Sequence, residues 1–87
     1  MPKTILVIDD EPDLVRLLDY NLTQADYLVL TARDGKAGIE AAHRHHPDLV
    51  ILDVMMSGLD GWEVVKRLRA DTDTAQVPVL MLTAKAE

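Results

Sequence analysis

The chain has 87 residues, 48% of them hydrophobic, and 15 acidic against 9 basic side chains give a formal net charge of −6. That length builds one small domain with a modest core, and the acidic balance excludes nonspecific nucleic-acid binding by this segment, which needs a basic surface. The absence of cysteine excludes disulfides and thiolate metal sites, and no apolar run approaches the ~20 residues of a membrane span.

Residues 4–8, TILVI, read as a strand buried on both faces. The opening MPKTILVIDD turns acidic before an apolar run long enough for a secretory leader, so a cytoplasmic location is expected. Pro12 suits the first turn of a helix over 12–24, where Leu14, Val15, Leu17, Leu18 and Leu22 recur at helical spacing. YLVLT, 27–31, predicts a second strand. Asp34 can cap a helix over 35–46 with a small inner face of Ala37, Ala41 and Ala42, ended by Pro47. LVIL, 49–52, is a third buried strand that ends on Asp53. Asp60 and Glu63 have capping-box spacing, so a third helix is predicted over 61–70 with Val64, Val65 and Leu68 inward. After the polar ADTDTAQ comes a fourth strand, VLMLT, 79–83.

Strictly alternating strands and helices predict an α/β fold with a parallel sheet, right-handed crossovers and helices on both faces. Ligands of such sheets bind at the carboxyl ends of the strands. Asp9 and Asp10 follow the first strand, Asp53 ends the third and Thr83 ends the fourth. Clustered acids have two common explanations, a hard divalent cation such as Mg²⁺ or a solvated acidic patch. Polar chemistry at three strand ends favours the cation, which also offsets the repulsion within Asp9, Asp10 and Glu11. A carboxylate beside Mg²⁺ can attack phosphorus to form an aspartyl phosphate. Asp53, which stands apart from the Asp9–Asp10 pair, is the candidate nucleophile, and Thr83 the candidate donor to a phosphoryl oxygen.

ILVIDDEPDLVRLLDYNL, ARDG, PDLVILDVMMSGLDGWEV and VPVLMLTAKAE, in that order and spacing, resemble the receiver domain of bacterial two-component response regulators. The resemblance covers residues 1–87 and is greatest to N-terminal receivers of winged-helix transcription factors of the phosphate-regulon kind. It implies a flavodoxin-like, doubly wound sheet of strand order 2-1-3-4-5. It implies a phosphoacceptor rather than an enzyme, in which Asp53 takes a phosphoryl group from a sensor histidine kinase. Asp10 would bind Mg²⁺ directly, Asp9 mainly through water, and Met55 through its backbone carbonyl. Thr83 would be the switch hydroxyl, with Ala84 the small residue beside it. Two departures stand out. Ser57 occupies a place where the family has proline, and the pattern stops after β1-α1-β2-α2-β3-α3-β4, before the strand that carries the family's catalytic lysine. Lys85 is too close to Thr83 to replace that lysine. An incomplete receiver would expose its fourth strand as an edge, so dimerisation or strand exchange is expected.

Competing functions are a stand-alone receiver, an inactive fragment that only oligomerises, and a haloacid-dehalogenase-type phosphatase. The last wants an acid two residues past the nucleophile, where this chain has Met55. His43 and His46 lie one turn apart in HRHH, but cations near a helix C-terminus account for them more simply than a metal does. Trp62 reads as packing or half-exposed surface, Met55, Met56 and Met81 as core and loop filling, and Asp71 and Asp73 as solvated loop acids.

Overall fold

The computed structural model describes residues 2–56 and 58–82. The elements run β1 (Thr4–Ile8), α1 (Pro12–Gln24), β2 (Leu28–Ala32), α2 (Gly35–His45), β3 (Leu49–Asp53), α3 (Gly61–Ala70) and β4 (Val79–Leu82). The four strands form one parallel sheet in the order β2-β1-β3-β4, as expected for a doubly wound, flavodoxin-like fold.

Strand periodicity divides the core into two layers. Leu6, Ile8, Val50 and Leu52 face one side, where they pack with Ala42 of α2 and with Val64 and Leu68 of α3. Ile5, Val7 and Ile51 face the other side and meet Val15, Leu18 and Leu22 of α1. Each fully buried aliphatic side chain contributes about 1.5–3 kcal/mol. α1 is the least embedded helix: none of its residues is fully buried, and Leu17 stays 57% exposed.

Three local expectations need correction. β2 spans Leu28–Ala32, not 27–31. The chain leaves α1 through Asp26 at φ 72°, and the Tyr27 N–H donates to Leu22 O at 3.1 Å. With that donor committed to the helix end, the ladder begins at the Thr4–Leu28 pair. α2 stops at His45, because His46 takes the left-handed conformation at φ 49° and caps the helix. The inner face of α2 is Gly35, Gly38 and Ala42, while Ala37 is exposed. Gly38 lets α2 lie directly on β1, since a Cβ there would collide with the Ile8 side chain. The predicted caps form: Asp34 accepts from Ala37 N at 2.8 Å and Asp60 from Glu63 N at 3.0 Å.

Candidate functional site

All four strands run the same way, so their carboxyl ends share one edge of the sheet. β1 and β3 are direct neighbours there, with Ile8 beside Leu52. Asp9 and Asp10, which follow β1, and Asp53, the last residue of β3, are thereby brought together. One carboxylate oxygen from each of the three lies within 4.8 Å of the others.

The three acids differ in surroundings. Asp9 is 2% exposed. Its Oδ1 accepts the Glu11 N–H at 2.8 Å, and its Oδ2 has no hydrogen-bond partner among the described residues. Burial pushes the Asp9 carboxyl above its ordinary value, the Glu11 N–H opposes that shift, and the charges of Asp53, Asp10 and Glu11 add to it. Asp10 is exposed and Asp53 half-buried. Asp53 Oδ1 accepts the Met55 N–H at 3.1 Å, which sets the rotation of its carboxylate.

The loop after β3 folds back sharply. Val54 N donates to Leu82 O of β4, and Gly61 N donates to Val54 O, each at 3.1 Å. A Cβ on Gly61 would stand 2.7 Å from Asp53 O and 2.8 Å from Val54 Cα, so glycine is required at this approach. The Asp60–Gly61 dipeptide reads as a turn in the sequence, but its closeness to Asp53 does not. Trp62, 65% exposed, rims an open groove with Met55, Met56 and Asp60, and Asp10 reaches the same groove. On the other side of the acids, a cavity of about 240 Å³ is bounded by Asp9, Asp10, Val15, Arg16 and Arg33. All of these residues lie within the motifs that carry the family resemblance, yet apart from Asp9, Asp10 and Met55 the resemblance assigns them no role in the site. Thr83, Ala84, Ser57 and Lys85 lie outside the described residues.

A hard cation fits this donor set: three carboxylates, one of them buried with an oxygen that lacks a partner among the described residues. The family profile for "Response regulator receiver domain" matches residues 5–87.

This chain belongs to that family.

The alkaline phosphatase synthesis transcriptional regulatory protein PhoP of Bacillus subtilis (strain 168) is 51% identical over 87 residues, which is 100% of this chain and 35% of that protein. The receiver therefore spans about a third of the length of that relative. The N-terminal domain of a response regulator receiver protein from Methanoculleus marisnigri JR1 superposes with a TM-score of 0.93 at 45% identity, over 98% of this chain and 69% of that one. The response regulator protein TrrA from Thermotoga maritima, solved in complex with Mg(2+)-BeF, superposes with a TM-score of 0.88 at 36% identity, over 97% and 71% of the two chains. Among the described residues, no helix is long and apolar enough to cross a membrane.

Proposed function

We propose that this receiver is the phosphoacceptor of a two-component system and that Asp53 takes a phosphoryl group from a sensor histidine kinase. One observation carries the reading: three carboxylates converge at the ends of β1 and β3, and the Oδ2 of the buried Asp9 has no hydrogen-bond partner among the described residues. Such a cluster opposes folding unless a cation or a transferring group uses it. Asp9, Asp10 and Asp53 would hold Mg²⁺, with the Met55 backbone carbonyl as a further oxygen donor. When bound, the ion neutralises charge on the acids and on the incoming phosphoryl oxygens.

The chain's own groups supply positioning. The Met55 N–H holds the Asp53 carboxylate in one rotation. An Asp53 oxygen forms a bond to phosphorus as the bond from phosphorus to the donor's imidazole nitrogen breaks, and the donor histidine leaves neutral once it takes up a proton. The product is an acyl phosphate on Asp53. Thr83 and Ala84 complete the reading as switch hydroxyl and small neighbour. The output is a DNA-binding region beyond this segment, a proposal supported by the relative from Bacillus subtilis, whose name calls it a transcriptional regulatory protein.

Intact mass after incubation with Mg²⁺ and acetyl phosphate tests the reading. One added phosphoryl group, dependent on Mg²⁺ and absent in Asp53→Asn, is expected. A chain that gains none, or an Asp53→Asn variant that gains as much, overturns the assignment of Asp53.

A further inference from the structure

A second group of metal-ligating side chains converges far from the strand-end acids. α2 and α3 run back against the strands, so their C-terminal ends lie at the opposite edge of the sheet. There His43, in the last turn of α2, faces Asp71 and Asp73 of the loop that follows α3. His43 Nδ1 is 3.3 Å from Asp71 Oδ2 and 3.6 Å from Asp73 Oδ2. The two acids are exposed, as expected of a polar loop, and they also face His43, whose partners are these carboxylates rather than His46.

The spacing is informative. A charge-assisted hydrogen bond between imidazole and carboxylate closes to about 2.7–2.9 Å. A tetrahedral ion with bonds of about 2.0–2.2 Å to nitrogen and oxygen holds its donors about 3.4 Å apart. The two separations from His43 Nδ1 lie near the second figure, and the donor atoms of all three residues lie within 4.8 Å of one another. The loop is also prepared before any ion arrives. Asp71 Oδ1 is engaged by the Asp73 N–H at 3.0 Å, which leaves Oδ2 as the oxygen turned to His43. The buried Thr74 hydroxyl donates to Leu68 O at 2.6 Å and fastens the loop to the end of α3.

We propose that His43, Asp71 and Asp73 form a second divalent-cation site, which takes a borderline transition ion such as Zn²⁺ and clips α2 to the α3–β4 loop. Imidazole nitrogen suits Zn²⁺ and not Mg²⁺, so the two ends of the sheet select different ions. Three protein donors leave a fourth position for water.

Zn²⁺ titrated calorimetrically into the protein in excess Mg²⁺ tests this, with circular dichroism to show that each variant is folded. One Zn²⁺ per chain is expected. His43→Gln and the double variant Asp71→Asn/Asp73→Asn each weaken binding by roughly tenfold or more, whereas Asp53→Asn and His45→Asn/His46→Asn leave it unchanged. Zn²⁺ should also raise the unfolding temperature of the parent chain and not that of His43→Gln. The proposal is overturned by the absence of saturable binding or by affinity indifferent to His43→Gln. It is equally overturned if binding is lost in Asp53→Asn, which places the ion at the strand-end acids, or in His45→Asn/His46→Asn, which places it at the helix end.

Discussion

Replacing Asp9 by asparagine should make the metal-free receiver more stable, although it alters the centre of the candidate site. Carboxylate oxygens of Asp10 and Asp53 lie within 4.8 Å of an oxygen of Asp9. Two unit charges at that distance repel by about 1 kcal/mol in fully aqueous surroundings and about 3.5 kcal/mol at the effective dielectric of a protein surface. Asp10 is exposed and Asp53 half-buried, so the lower figure governs each pair. Two pairs give about 2 kcal/mol. Asparagine keeps an oxygen for the Glu11 N–H and turns an NH₂ toward the two remaining carboxylates. For a domain of this size, about 2 kcal/mol raises the unfolding temperature by roughly 8–16 °C. Mg²⁺ at a hundredfold excess over its dissociation constant should stabilise the parent chain by about 2.7 kcal/mol and the variant by less. Thermal unfolding followed by far-ultraviolet circular dichroism, in EDTA and in Mg²⁺, measures both effects. pH adds a signed check. The native Asp9 carboxyl is raised above 3.8, so the folded chain holds this proton more tightly than the unfolded one. The corresponding stability is full below pH 3.8 and is lost as pH rises through the raised native value. Asp9→Asn should lack that component. A variant that melts below the parent in EDTA would refute the idea that these acids oppose folding.

Other expectations concern the scaffold that positions the site. Gly38→Ala gains about 1 kcal/mol of helix propensity but drives a methyl group into the fully buried Ile8. Overpacking of about 1–3 kcal/mol should win, and a lower urea midpoint with an unchanged slope is the expected result. Leu52→Ala, at the centre of the layer shared with α2 and α3, should lose about 2–5 kcal/mol in the same assay. Thr74→Val keeps the shape of the side chain but removes the hydroxyl that donates to Leu68 O. A loss of about 1 kcal/mol is expected, with faster amide exchange at the end of α3 as the local readout.

The alternation of apolar strands with amphipathic segments is enough to place β1, α1 and α3 at their observed bounds and β3 to within its last residue, because each is specified by its own residues: the continuous apolar runs Thr4–Ile8 and Leu49–Leu52, Pro12 at a helix start, and the Asp60 cap. The acids were legible for a similar reason, since a parallel sheet carries whatever follows each strand to one edge. Elements defined by their neighbours were less legible. β2 begins one residue late because the Tyr27 N–H is taken by the end of α1, a hydrogen bond between elements that no strand propensity contains. The inner face of α2 is set by Gly38 against Ile8, where a missing side chain does the packing and the apolar pattern gives no sign of it. Asp9 and Asp10 are adjacent and chemically identical, yet only the packed structure decides that one is buried, with an oxygen that lacks a partner among the described residues, while the other meets solvent. The same holds for Asp71 and Asp73, which composition assigns to a solvated loop and which the return of the chain beside α2 sets against His43. Local sequence determined which residues could do chemistry. Only tertiary packing decided which of them meet, because distance and desolvation depend on segments far apart in the chain.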